Sequence, residues 1–241
     1  MNPARASAAR RRGRGGRSAH PVWIAILIAL VVIEGALILA DRGLLGSVRW
    51  RAITYQNGAF WVGLLFGWAP NYPQQPAVMF VTYAFLHANL GHLLGNAAAL
   101  VWLGRTLGGR CGPGRFALIY LVVVIGGGVG FALLARQTAP MVGASGAVMG
   151  LVGVWIVWDA RQMRCAGRGR TAVAVEIGLR TALILAANVA SFFALDGVLA
   201  WETHLGGFVA GIAVALAVAP SAPCEGLDGM RAQPRHGTPP S

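Results

Sequence analysis

The stretch MVGASGAVMGLVGVW, residues 141–155, is apolar enough for a membrane helix, yet it places a serine near its start. Ser145 lies between Ala144 and Gly146, so no bulky side chain stands next to its hydroxyl group. Small residues allow helices to approach each other closely in lipid. They also leave the hydroxyl accessible to a reacting group, and the rest of the sequence has to distinguish these two explanations.

The composition of the 241-residue chain is that of a membrane protein. Hydrophobic residues make up 56% of it, charged residues only 12%, and the mean hydropathy is +0.61. A soluble domain is about one quarter charged. The formal net charge of +12 is carried by arginine alone, because the chain has no lysine. No basic face interleaved with aromatic residues accompanies this charge, so we predict no nucleic-acid partner.

Six apolar segments have roughly the length that a helix needs to cross a bilayer. They are residues 22–40, 88–104, 116–135, 143–158, 172–193 and 203–219. The sequence therefore predicts an all-α polytopic membrane protein, a bundle of six transmembrane helices. The first segment contains Glu34 and the fifth contains Glu176 and Arg180, so neither is expected to face lipid alone.

The arginines predict how this bundle lies in the membrane. With a cytoplasmic N-terminus, fifteen arginines fall on the cytoplasmic side and four on the outer side, as the positive-inside rule requires. Both termini are then cytoplasmic, and the Arg- and Ala/Gly-rich usage favours a bacterial inner membrane. The first apolar run is longer than that of a signal peptide and is predicted to be retained. The three cysteines all fall on the cytoplasmic side, which favours free thiols and no metal site; they are Cys111, Cys165 and Cys224.

The chain divides into one membrane domain, residues 21–220, between two tails. Residues 1–20 are rich in Arg, Gly and Ala and are predicted to be a disordered cytoplasmic tail. Residues 221–241 are predicted to be a second disordered cytoplasmic tail. The first loop, residues 41–86, is strongly aromatic and is predicted to associate with the outer face of the lipid bilayer. Three prolines of this loop are expected to prevent a helix there; they are Pro70, Pro73 and Pro76.

Polar residues lie at the starts of the second, fourth and sixth spans. His92 and Asn96 are four residues apart and therefore share one helical face. Ser145 opens the fourth span and His204 opens the sixth. All three spans run inward from the outer side, so these side chains lie at a similar depth. Because polar groups inside a membrane are costly, their convergence indicates a functional site.

Glycines predict which of these spans touch. Two small-xxx-small faces permit close approach of the fourth and sixth spans; they are Gly146 with Gly150, and Gly207 with Gly211. Pairing of these faces would bring Ser145 near His204. A serine hydroxyl becomes a nucleophile when a neighbouring base takes its proton, and His204 can be that base. No carboxylate is obviously placed to orient His204, so a dyad is favoured over a triad.

The remaining polar groups suit a site that stabilises negative charge. His92, the Asn96 amide and the backbone N–H of Ser145 can donate to a developing oxyanion. Taken singly, each feature has a common structural explanation, since a membrane serine usually bonds a backbone carbonyl. An isolated histidine on an apolar face is also more often structural. Their arrangement at one depth favours catalysis.

Three motifs resemble those of the rhomboid family of intramembrane serine proteases, in their order and in their spans. They are HANLGHLLGN at 87–96, GASG at 143–146 and HLGGFVAG at 204–211. The resemblance covers residues 22–219. It implies that Ser145 is the nucleophile and His204 the general base, with His92 and Asn96 in the oxyanion site and Gly143 among the motif glycines.

The resemblance also implies an activity. The chain is expected to be a serine endopeptidase that uses no cofactor and cleaves single-span membrane proteins near the outer face. Residues 41–86 would be the membrane-embedded first loop, and the fifth span would be part of a substrate gate. Gly108 replaces a glutamate that is frequent in the family, which we interpret as a loss of stability rather than of activity. Met149 replaces a frequent aromatic residue, so His204 is expected to be held more loosely. The Trp50-Arg51 pair lies earlier in the loop than expected.

Three alternatives remain open at this point. A catalytically inactive rhomboid-like scaffold would bind membrane proteins without cleaving them, although such a protein would need neither Ser145 nor His204. A membrane haem protein could use His92 and His204 as ligands and would show a Soret band. A small-solute transporter would also need a polar outer cavity.

Overall fold

The computed structural model describes residues 21–136, 138–194 and 200–220. Both predicted tails lie outside these residues. The described part of the chain contains eight α-helices, and two short 3₁₀ helices lie in the first loop, at Val62–Leu65 and Tyr83–Phe85. The α-helices are α1 (Pro21–Asp41), α2 (Trp50–Gly58), α3 (Gln75–Thr82), α4 (Leu90–Gly108), α5 (Pro113–Leu134), α6 (Ser145–Cys165), α7 (Arg170–Ala194) and α8 (Trp201–Ala217).

The all-α polytopic fold is confirmed, and each of the six predicted spans corresponds to a helix. By length and hydropathy, three stretches of the described residues can cross a membrane: Val22–Asp41, Pro113–Leu134 and Arg170–Ala190. A fourth is added if Gln75–Phe85 and α4, which meet at 83°, form one broken span. Helix α8 is apolar but shorter. The count of six spans therefore stays a prediction.

Two local predictions were wrong. Pro76 does not prevent a helix but lies in the first turn of α3, where its missing N–H would have had no partner in any case. Helix α6 does not end near residue 158 but continues to Cys165. Its charged last turns are stabilised by Arg161, whose guanidinium donates to the carbonyls of Ala215 and Leu216 at 2.9 and 3.0 Å.

The centre of the bundle is formed by α6 and α8, with α5 packed against both. Glycine makes this packing possible because the backbones meet directly. A Cβ atom on Gly150 would lie 2.8 Å from the carbonyl oxygen of Gly207. A Cβ on Gly211 would meet the backbone of Gly150, and one on Gly207 would meet that of Gly146. The two glycine faces singled out in the sequence therefore lie against each other.

The first loop is part of the core rather than a loose surface segment. Phe60 is fully buried, and its ring packs edge-on against Phe80, Tyr83 and Phe131 at centroid distances of 4.8, 6.0 and 5.6 Å. The backbone of Phe60 also forms an antiparallel bridge with Met141, with two N–H to O distances of 3.0 Å. This bridge attaches the first loop to the segment that leads into α6.

Ion pairs attach the first loop to α1. Arg51 donates to the fully buried carboxylate of Glu34 at 3.0 and 3.1 Å and to Asp41 at 2.7 Å. Its Nη1 also donates to the carbonyl of His87, 2.9 Å away. Burial disfavours the charged guanidinium, but the bonds to Glu34 and Asp41 outweigh it, so the pKa of Arg51 is raised. Glu34 thus has a partner, which explains how a carboxylate is tolerated in the first span.

The cysteines differ from each other. Cys111 is a buried free thiol, as predicted, and its burial raises the pKa of the thiol to about 11. The free-thiol prediction is wrong for Cys165, which is disulfide-bonded. Cys224 lies outside the described residues.

Candidate active site

Ser145 is the first residue of α6 and is half-buried. The chain reaches it through Gly143, which has a φ of 126°, a conformation that suits glycine. The N–H of Gly143 donates to the carbonyl of Tyr83 at 3.0 Å, so the end of the first loop positions the GASG turn. The first N–H groups of a helix have no partner within it. The start of α6 therefore presents backbone donors around the Ser145 hydroxyl.

His92 and Asn96 of α4 lie beside this turn. A Cβ on Gly143 would be 2.6 Å from Cε1 of the His92 ring and 3.7 Å from Nδ2 of Asn96. The start of α4 is fixed by Asn89, whose side chain accepts from the N–H of His92 at 2.9 Å. Nδ2 of Asn96 is buried and has no hydrogen-bond partner among the described residues. An unpartnered amide donor next to the GASG turn is suited to receive a negatively charged oxygen.

His204 lies in the first turn of α8 and is 9% exposed. The glycine contacts bring this turn against the start of α6, since a Cβ on Gly146 would lie 2.5 Å from the hydroxyl oxygen of Thr203. Nε2 of His204 is buried without a hydrogen-bond partner among the described residues, so no bond to Ser145 is formed in this arrangement.

Asn188 of α7 contacts the other nitrogen of the His204 ring. Oδ1 of Asn188 lies 2.6 Å from Nδ1 of His204, and Nδ2 of Asn188 donates to the carbonyl of Ile184 at 2.9 Å. Nδ2 also lies 3.8 Å from the sulfur of Met149. Asn188 was not among the site residues predicted from the sequence, although an amide within the fifth apolar segment was a signal in itself.

A cavity of about 590 Å³ separates the C-terminal half of α7, the half predicted to lie on the outer side, from α6 and α8. Its walls are mostly aliphatic and aromatic, with Asn188 and His204 among the few polar side chains. The opposite half of α7 is attached by charge. Arg180 donates to Asp159 of α6 and to Glu176, and its guanidinium lies 4.9 Å from the centre of the Trp155 ring. The two intramembrane charges of the fifth span are thus partners of each other and of α6.

The fold and the site define a polytopic helical membrane protein with a serine and a histidine at the packed ends of two helices. Residues 74–221, more than half of the chain, match the family model described as the rhomboid domain. The chain belongs to the rhomboid family and is a multi-pass integral membrane protein. The family includes serine proteases that act on membrane proteins within the bilayer, and it includes inactive members.

Three curated relatives illustrate this range. The chain is 31% identical over 140 residues to rhomboid protease GluP of Bacillus subtilis, covering 57% of this chain and 25% of the relative. It is 35% identical over 89 residues to human rhomboid-related protein 3, covering 36% and 22%. It is 28% identical over 112 residues to inactive RHOMBOID-like protein 8 of Arabidopsis thaliana, covering 46% and 26%. The chain thus spans about a quarter of the length of these relatives.

Proposed function

We propose that this protein is an intramembrane serine endopeptidase in which Ser145 is the nucleophile and His204 the general base. The observation that supports this most strongly is the state of the His204 ring. Its Nδ1 faces the Asn188 amide, while its buried Nε2 has no hydrogen-bond partner within the described part of the chain and lies on a helix packed against the start of α6. A buried nitrogen without a partner destabilises the fold, and a catalytic role is one reason for a protein to keep it. Catalytic hydrogen bonds often form only with substrate present, so a Ser145–His204 bond is expected then.

The oxyanion would be stabilised by three donors. They are the backbone N–H of Ser145 within the GASG turn, and the Asn96 amide and the His92 ring beside it. Removal of one such donor typically costs about 10²–10³ in rate. Attack of Ser145 on the scissile carbonyl would break the peptide bond, and His204 would give the proton that it took from Ser145 to the leaving amine. Water would then hydrolyse the acyl-enzyme, with His204 again acting as the base.

The substrates would be single-span membrane proteins cut near the outer face of a bacterial inner membrane, with both termini of the protease in the cytoplasm. A substrate helix has to unwind before cleavage, because its amides are bonded internally and shielded from attack. Glycine or another small residue at the cleavage point would suit a crowded site, since the His92 ring lies close to Gly143 of the GASG turn. The orientation rests on the arginine distribution.

An inactive scaffold is the second candidate, supported by the similarity to a relative named inactive RHOMBOID-like protein 8. It would retain the fold and bind membrane helices without cleaving them. A scaffold would need neither a nucleophile nor a base. This chain has both Ser145 and His204, which argues against the scaffold. The candidates differ in whether a covalent acyl-enzyme forms.

The test compares wild type, Ser145→Ala and His204→Ala with a single-span substrate in liposomes. We expect cleavage by wild type alone, and covalent labelling of wild type but not of Ser145→Ala by a fluorophosphonate. Ser47→Ala is the matched control, since Ser47 is exposed in the first loop and its hydroxyl oxygen only accepts from the N–H of Arg49. Capture of substrate without cleavage would support the scaffold. Continued cleavage by Ser145→Ala would overturn the proposed mechanism.

A further inference from the structure

We propose that Asn188 is a positioning residue for His204 and that it couples the general base to helix α7. This inference rests on the proposed function, because it assigns a role to Asn188 only if His204 acts as a base. Sequence reasoning favoured a dyad without a third member. The contact between Asn188 and the base supplies a third polar group, an amide in place of a carboxylate.

The hydrogen bonds of Asn188 determine the tautomer of His204. The carbonyl of Ile184 can only accept, so the group of Asn188 that faces it at 2.9 Å must be the amide NH₂. The amide oxygen therefore faces Nδ1 of His204 at 2.6 Å, and it too can only accept. Nδ1 must then carry the proton. In the neutral ring this leaves the lone pair on Nε2, the nitrogen without a partner.

This tautomer is the one that a base requires. Nε2 points away from α7, because the two ring nitrogens face nearly opposite directions. When Nε2 takes the proton of the Ser145 hydroxyl, the ring becomes positively charged and Nδ1 still donates to Asn188. A hydrogen bond from a charged donor is stronger than one between neutral groups, so Asn188 also stabilises the transition state. The apolar walls of the adjoining cavity strengthen this bond further.

Asn188 connects the base, His204, to α7. The ion pair that attaches α7 to α6 lies nearer the middle of α7 than Asn188 does. Arg180 attaches α7 to Asp159 two turns before Asn188, whereas the outer half of α7 borders the 590 Å³ cavity. The bond between Asn188 and His204 crosses from α7 to α8 at that cavity. Displacement of the outer half of α7 would therefore release the base from its tautomer, so full activity requires α7 to be packed against α8.

Three variants of the full-length protein test the role. Asn188→Leu keeps the volume but removes the acceptor, and we expect kcat to fall about tenfold with little change in KM. Asn188→Asp should retain most of kcat, because its protonated carboxyl group can accept from Nδ1 of His204 and donate to the carbonyl of Ile184, as the amide does. The matched control is Thr181→Val, a polar-to-apolar change that lines the same cavity from the same face of α7, two turns before Asn188.

A second measurement does not depend on activity. In ¹⁵N-histidine-labelled Ser145→Ala protein, the His204 ring should show a protonated Nδ1 and an unprotonated Nε2, and adding Asn188→Leu should give a mixture of tautomers. An unchanged spectrum, a kcat of Asn188→Leu equal to wild type, or an equal loss in Thr181→Val would each overturn the role of Asn188. Failure of wild type to cleave would instead overturn the proposed function, and the spectra would still report on Asn188.

Discussion

Replacement of Gly207 by alanine tests the helix contact on which the site depends. A Cβ on Gly207 would meet the carbonyl oxygen of Gly146 and lie 2.8 Å from its carbonyl carbon. Both atoms belong to the backbone of α6, so no side chain can rotate away and the two helices have to move apart. Gly146 follows Ser145 directly, and His204 lies one turn before Gly207. Separation of the two helices would therefore increase the distance between Ser145 and His204.

The expected loss of stability follows from two opposing terms. Overpacking costs about 1–3 kcal/mol, and the upper value applies because the contact is between backbones. Alanine regains about 1 kcal/mol of helix propensity relative to glycine. The free energy of unfolding should therefore fall by about 2 kcal/mol, a substantial part of the roughly 5–15 kcal/mol that stabilises a typical protein.

Gly178 provides the matched control. It lies within α7, is exposed, and a Cβ there would have no atom within 4 Å. Gly178→Ala should therefore gain up to about 1 kcal/mol from propensity alone. Unfolding of each variant by sodium dodecyl sulfate in mixed micelles measures the stability, and cleavage of the liposome substrate measures the site. If Gly207→Ala is as stable and as active as Gly178→Ala, the close contact of α6 and α8 is refuted.

Two further predictions concern groups away from the site. Arg51→Leu should lower the free energy of unfolding by about 3–5 kcal/mol, because it leaves the buried Glu34 carboxylate without its partner. Arg49→Leu, at an exposed position, is the control and should change the free energy of unfolding little. Equal losses in the two variants would refute the pairing of Arg51 with Glu34. In a background without the other two cysteines, alkylation of Cys111 should be slow at pH 7 and accelerate with each pH unit, because its pKa is raised to about 11 and the thiolate is the reactive form. The control is a surface thiol introduced by Gly109→Cys, which should react faster than Cys111 at pH 7. If Cys111 reacted as fast as this surface thiol, its burial would be contradicted.

The helices could be predicted from the sequence because their signals are local. Apolar runs located all six predicted spans within a few residues, apart from the C-terminal end of α6. That end was missed because the apolar run ends at Asp159, whereas the helix continues to Cys165. Its last turns are stabilised by Arg161, whose side chain donates to backbone carbonyls at the end of α8. Pro76 was misjudged for a related reason, since the effect of a proline depends on whether it begins a helix or interrupts one.

The sequence by itself determined that Ser145, His204, His92 and Asn96 lie near the starts of three apolar segments, because the order and composition of segments are properties of a linear chain. That these segments run inward from the outer side stays a prediction from the arginine placement. The sequence also marked the glycines that let α6 and α8 meet. Only the tertiary structure decided that the amide oxygen of Asn188 faces Nδ1 of His204. The rotation of α7 about its axis depends on packing against other helices, and no local pattern of residues specifies which of its faces turns inward.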